Sequence, residues 1–139
     1  MNEKPIVLAP NAMKGSLDAF RFADALAEGL AKQGFTNVVK IPICDGGDGT
    51  ARILGESFGA QFIHVEVKGP LGTPVSTGFY LDEYKRAFID VASASGVALL
   101  QSNELNPFKT STFGTGQLIA EALNQGARHI YIGLDGSAT

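Results

Sequence analysis

Seven residues, Cys44-Asp45-Gly46-Gly47-Asp48-Gly49-Thr50, constrain this chain more than any other stretch. They place two carboxylates and three glycines between an apolar run ending at Ile43 and a helical pattern starting at Ala51. Glycine is costly in ordered backbone unless the chain must take positive φ or let another group approach the main chain closely. Neighbouring aspartates repel unless something positive answers them. A bound cation or phosphate would satisfy both conditions, although an isolated Asp-Gly pair is ordinarily just a turn. Repetition favours the first reading, because Asn-Ala-Met-Lys-Gly-Ser at 11–16 and Ser-Thr-Phe-Gly-Thr-Gly at 111–116 also precede helical patterns. Three such loops in one short chain predict a site.

What that site could hold is bounded by charge. The 139 residues carry a formal net charge of -3 and no run of Lys or Arg, which argues against a nucleic-acid surface and leaves room for a local pocket for a small anion. With 45% hydrophobic and 18% charged residues the chain can bury a core, and it has neither a membrane-spanning stretch nor a disordered composition. Cys44 is the single cysteine, so neither a disulfide framework nor a cysteine-rich zinc site is expected. The apolar run near the N-terminus is too short for a signal-peptide core, and the expected location is cytoplasmic.

In chain order, the continuous apolar run at 5–9 predicts a strand buried on both faces of a parallel sheet. Phe22, Leu26 and Leu30 form one stripe of a helix over 17–33, with Ser16 as its N-cap, Glu28 and Lys32 as an i,i+4 pair, and Gly34 as the stop. A second apolar strand at 37–43 delivers the chain to the Asp/Gly loop. Thr50 is expected to cap a helix over 51–58. From residue 60 the pattern alternates, with Ile63, Val65 and Val67 opposite Phe62, His64 and Glu66, and a hairpin follows from 74–81 and 86–91. A short helix over 92–100, a loop over 101–109, a helix over 116–125 and a strand over 129–134 complete the chain. The fold class expected is α/β: a strand-helix-strand, Rossmann-like first lobe over 1–59 with a parallel sheet, then part of a second, mixed α/β lobe over 60–139. The last strand runs into a Gly/Ser/Thr loop with no helix after it, so the chain looks truncated.

Common nucleotide motifs are absent. No glycine is followed by lysine and a hydroxyl residue in the phosphate-loop register, and the Gly-x-Gly pairs at 47–49 and 114–116 both lack the third glycine of a dinucleotide fingerprint. The EF-hand pattern fails at Gly47 and Gly49. His64 and His129 lie in strand patterns and read as structural. What remains is phosphoryl transfer of another kind, which needs helix N-termini, a Lys or Arg, and carboxylates for Mg2+ and the attacking hydroxyl. The chain offers all three.

Pro-Asn-Ala-Met-Lys-Gly-Ser-Leu at 10–17, Cys-Asp-Gly-Gly-Asp-Gly-Thr at 44–50, Gly-Pro-Leu-Gly at 69–72, Ala-Ser-Gly at 94–96, Thr-Phe-Gly-Thr-Gly at 112–116 and the closing Gly-Ser-Ala-Thr resemble the N-terminal part of the glycerate kinases. The resemblance runs along the whole chain. It implies a two-lobed α/β enzyme transferring the γ-phosphate of ATP to a hydroxyl of glycerate with Mg2+. Lys14, Asp45 and Asp48 are the implied catalytic residues, with Asp45 the candidate Mg2+ ligand. Ser16, Gly46, Gly47, Thr50, Thr112, Thr115, Gly116 and Ser137 are the candidates for binding substrate or phosphate. The chain departs from the family pattern in Asn11-Ala12-Met13, in Asp48 and Asp90 where longer acids are usual, and in Leu134-Asp135, where an acid would repel phosphate. Another small hydroxy-acid or sugar kinase, or a non-catalytic anion-binding module, are the alternative readings. A fragment of this kind is expected to be inactive alone and to favour self-association or a complementing C-terminal part.

Overall fold

In the computed structural model, which describes residues 4–139, the first apolar run forms β1 (Ile6–Leu8). It pairs in parallel with β2 (Val38–Lys40), Ile6 opposite Val38 and Leu8 opposite Lys40. The N–H groups of Ile41 and Ile43 donate to the carbonyls of Leu8 and Pro10 at 2.8 and 3.0 Å, carrying the pairing past β2. Between the strands lies α1 (Ala19–Ala31), which buries Ala19 and Ala23. Its N-cap is Asp18 rather than Ser16: the Asp18 carboxylate accepts the Arg21 N–H at 2.8 Å. Ser16 is instead held in a tight turn, its N–H donating to the Met13 carbonyl, so the helix begins after that turn closes. Glu28 and Lys32 form the expected pair at 2.7 Å, exposed and therefore worth only a few tenths of a kcal/mol. Ile6 and Val7 are exposed and only Leu8 is buried, so β1 is not the doubly covered strand that its composition predicted. A two-stranded sheet packed by one helix has too little cover to enclose it.

The chain divides into two compact units, one ending at Cys44 and the other spanning Asp45–Thr139. In the second, α2 (Thr50–Ser57) precedes β3 (Gln61–Lys68), β4 (Pro74–Leu81) and β5 (Arg86–Asp90). They are followed by α3 (Val91–Ser95), α4 (Phe113–Asn124) and β6 (His129–Gly133). The strands form a mixed sheet in the order β3-β4-β5-β6, antiparallel except for the parallel pair β5 and β6. The α2 helix, grouped by the sequence reading with residues 1–59, packs on β5 and β4 of this unit.

Alternation sets the layers. Val67, Phe79, Ala87 and Ile89 point to one face, where Ala94 and the α4 residues Leu118 and Ala122 close the core, and Ile63 and Val65 pack against it. Fully burying a side chain such as Leu118 stabilises the fold by about 1.5–3 kcal/mol. Phe88 and Tyr131 point to the other face, stacked at 5.3 Å, and Phe58 just beyond α2 stacks on Phe88 at 5.5 Å. The helix expected over 92–100 is α3 followed by a 3-10 turn at Val97–Leu99, because Gly96 is extended and interrupts it. The α4 helix starts at Phe113, before the expected Gly116. Gly114 serves packing rather than a turn: a Cβ there would run into the Lys68 carbonyl.

Candidate functional site

Because β5 and β6 run parallel, their C-terminal ends, Asp90 and Gly133, lie side by side in register. In α/β sheets this edge is where ligands are seated. The 45–49 loop lies across it. Gly46 accepts the Asp135 N–H at 3.0 Å, and a Cβ on Gly133 would sit 2.8 Å from the Gly46 carbonyl oxygen, so only glycine allows the loop to lie this close to β6. Gly46 (φ +99°) and Gly49 (φ +88°) take the left-handed conformation that such a turn requires.

Thr50 is not the N-cap of α2. That position belongs to Gly49, which has no capping side chain, while Thr50 is the first helical residue and its hydroxyl accepts the Gly46 N–H at 3.1 Å. The capping comes from Asp90, whose Oδ2 accepts the Gly49 N–H at 3.0 Å and whose Oδ1 accepts the Ala51 N–H at 2.7 Å. Burial pushes the Asp90 carboxyl up to about 6. The amide hydrogen bonds from Ala51 and Gly49 work against that rise, and the nearby charge of Asp48 adds to it. In the sequence Asp90 stands only as an acid ending a strand, and the signal for its capping role is a carboxylate directly after the apolar Phe88-Ile89.

Asp45 Oδ1 accepts the Gly47 N–H at 3.2 Å. A Cβ on Gly47 would lie 3.3 Å from Asp45 Oδ1 and 3.6 Å from Asp135 Oδ2, so these two carboxylates flank one glycine. Asp48 Oδ1 lies 3.5 Å from the place a Cβ on Gly136 would take, which puts Asp48 against the last loop. Among the described residues no three His, Cys, Asp or Glu side chains converge as a metal cage. Mg2+ is commonly held by one or two carboxylates together with substrate phosphates, and hard carboxylate oxygens flanking a glycine fit that arrangement. Beside the loop is a pocket of about 200 Å³ lined by Gly46, Thr50, Leu54, Phe88, Tyr131 and Gly133 among others.

The remaining candidates are placed as follows. Ser137 lies in the last loop, where its hydroxyl accepts the Thr139 N–H at 3.1 Å, and it bridges to Gly96. The Thr110 hydroxyl donates to the Ala138 carbonyl, so the stretch leading into α4 runs along that loop. Thr112 occupies the N-cap position of α4 with no side-chain cap bond. Thr115 is buried with its hydroxyl paired to Ser95 at 2.8 Å, and the Gly116 N–H donates within the helix to Thr112. Neither therefore offers a polar group at the mouth of α4. Lys14 and Ser16 belong to the first unit, exposed on the turn closed by Met13 and Leu17.

A glycine-and-carboxylate loop at the C-terminal edge of parallel strands, leading into a helix N-terminus, places this chain among α/β proteins, in which ligands are commonly seated at that edge. The description "Glycerate kinase family" matches residues 6–139, and the chain belongs to that family. It is 40% identical over 137 residues to a glycerate kinase of Bacillus subtilis (strain 168) and 39% identical over 137 residues to a glycerate 2-kinase of Escherichia coli (strain K12). Each match covers 96% of this chain and 36% of the relative. A crystal structure of a Salmonella typhimurium LT2 protein described as a candidate glycerate kinase 2 is similar over 98% of this chain and 37% of its own, with TM-score 0.75 and 39% identity. The chain thus spans little more than a third of the length of these relatives.

Proposed function

We propose that this chain contributes to an ATP-dependent glycerate kinase, in which the terminal phosphoryl group of ATP passes to a hydroxyl of glycerate. The observation that carries the reading is the 45–49 loop, seated on parallel strand ends in a chain of the glycerate kinase family. Phosphoryl transfer depends mainly on positioning and on neutralising charge. Mg2+ held by Asp45 with nucleotide phosphates would supply that neutralisation. The loop's own contribution is order, since Gly46 is tied at both its N–H and its carbonyl. Asp48 is the second carboxylate for orienting or accepting a proton from the attacking hydroxyl. Lys14 supplies a positive charge for a phosphate or for the glycerate carboxylate, and Ser16, Gly47, Thr112 and Ser137 are the polar groups assigned to anion contacts.

Asp45 is the more constrained carboxylate, with its Oδ1 engaged by Gly47. In a complete enzyme that contains this chain, Asp45→Asn is therefore expected to lower Mg2+-dependent turnover at least about tenfold more than Asp48→Asn does. Equal losses would count against assigning the metal to Asp45. The activity itself is tested in a complete enzyme that contains this chain, by coupled ADP release from ATP and Mg2+ with glycerate and a panel of other hydroxy acids and sugars. Turnover with glycerate far above the others is the expected result. Preference for another acceptor would move the reading to a different kinase, and ligand binding without turnover would leave only an anion-binding module. No helix among the described residues is long and apolar enough to cross a membrane. The cytoplasm is the compartment proposed.

A further inference from the structure

We propose that Asp90 is the positioning residue of the 45–49 loop: its carboxylate holds the amides of Gly49 and Ala51 and so fixes the direction in which Asp45 and Asp48 face a ligand. The inference rests on the reading above only in taking that loop as the ligand site. The holding itself is geometric. The first turn of α2 has no local cap, because Gly49 has no side chain and the Thr50 hydroxyl is occupied by Gly46. Asp90 fills the gap from a strand 39 and 41 residues away in sequence, one oxygen to each amide. A carboxylate is the acidic fork that can accept from two donors at once, whereas a carboxamide would accept one N–H and turn its own NH2 toward the other. Its reach is also set: a Cβ on Gly133 would lie 3.0 Å from Asp90 Oδ1, so β6 closes the space beyond it.

Asp90 is 7% exposed, and burial raises its carboxyl to about 6, so mild acid is expected to weaken the grip. The groups around it are Asp48 on the loop, Gly133 on β6, and Tyr80 on β4, which in turn lies in the fields of Glu56 and Arg52 on α2. Asp48 is the one whose charge adds to the rise. Misplacement of reacting groups by about 1 Å can cost a hundredfold in rate, so a residue that aims the loop affects chemistry without touching substrate.

The test uses the 15N-labelled protein. In the unmodified chain, the Gly49 and Ala51 amide resonances are expected to move together between pH 7.5 and 5 with one midpoint near 6. In Asp90→Asn, exchange of those two amides is expected to speed up at least about tenfold while α4 amides stay within about twofold. In a complete enzyme that contains this chain, the same substitution should lower the turnover number per folded molecule at least about tenfold with the glycerate KM little changed. Unchanged amide exchange in Asp90→Asn would overturn the proposal, and so would loosened amides with an undiminished turnover number. If a complete enzyme that contains this chain turns over no glycerate, the proposed function fails, while the amide measurements on the chain itself still decide whether Asp90 holds the loop.

Discussion

The Asp90 carboxyl meets two opposing demands, since the amides of Gly49 and Ala51 favour its charge while its burial disfavours it, and burial prevails. A carboxyl whose folded pKa is raised to about 6 binds more protons in the folded than in the unfolded state between roughly pH 4 and 6. Its contribution to stability is therefore greatest in acid and declines as pH rises through that window, by on the order of 2–3 kcal/mol. Denaturant unfolding from pH 4.5 to 7.5 should show this as a fall that is missing from Asp90→Asn; a difference between the two proteins that does not vary with pH would contradict it. At Lys14 the expectation is different, because that side chain is exposed on a turn outside both packed faces. Lys14→Met should leave the melting temperature within a degree or two and weaken phosphate-bearing ligands about tenfold or more by calorimetry. Unchanged affinity would remove Lys14 from the site. Asp45 and Lys14 were visible in the sequence as candidates because a glycine-and-acid loop and a lysine before a helix are conspicuous locally. The role of Asp90 was not, because both its partners lie about forty residues upstream and only the sheet brings them together.

Elements whose two faces differ were the easiest to read. The alternation of Ile63, Val65 and Val67 against Phe62, His64 and Glu66 predicted which side of β3 meets the core, and the first three do pack there. Glycine misled where it serves close packing. Gly114 looked like part of a loop ahead of a helix at 116, yet it lies inside α4, where its missing side chain lets the helix rest on the backbone of β3. Gly114→Ala should thus be destabilising despite alanine's better helix propensity. The cost expected is about 1–3 kcal/mol from overpacking, against the roughly 1 kcal/mol that propensity alone would return. Chemical denaturation reads the sign directly, and a stabilised variant would show that α4 can shift off Lys68 at little cost. The hairpin between β4 and β5 has its own anchor in Asp82. Burial tends to raise that carboxyl, but hydrogen bonds and charge from Arg86 outweigh it and hold the group below its ordinary value. This contribution has the opposite sign to that of Asp90: it is present above pH 4 and lost as pH falls further.

At the scale of the whole chain, the change in texture near residue 60 suggested a boundary there, whereas the compact units part between Cys44 and Asp45. Texture reports how each strand is covered, and α2 joins the second unit through contacts with β4 and β5 that its own sequence does not announce. The division has an energetic consequence. Of the first unit's described apolar residues, Leu8, Ala19 and Ala23 are buried, and they hold one helix to two short parallel strands. The second unit buries Phe79, Phe88, Ile89 and Leu118 almost completely within a four-stranded sheet covered by helices. Two strands and a helix are near the limit of independent stability, and each large side chain buried in the second unit adds about 1.5–3 kcal/mol that the first lacks. Native-state hydrogen exchange should accordingly show the amides that pair β1 with β2 opening at free energies at least about 2 kcal/mol below those of β4 and β5. Leu118→Ala should lower protection across β3 to β6 by about 2–5 kcal/mol and leave exchange in α1 nearly unchanged. Equal loss of protection in both units would mean that they unfold as one, and that the division at Cys44 describes packing without describing cooperativity.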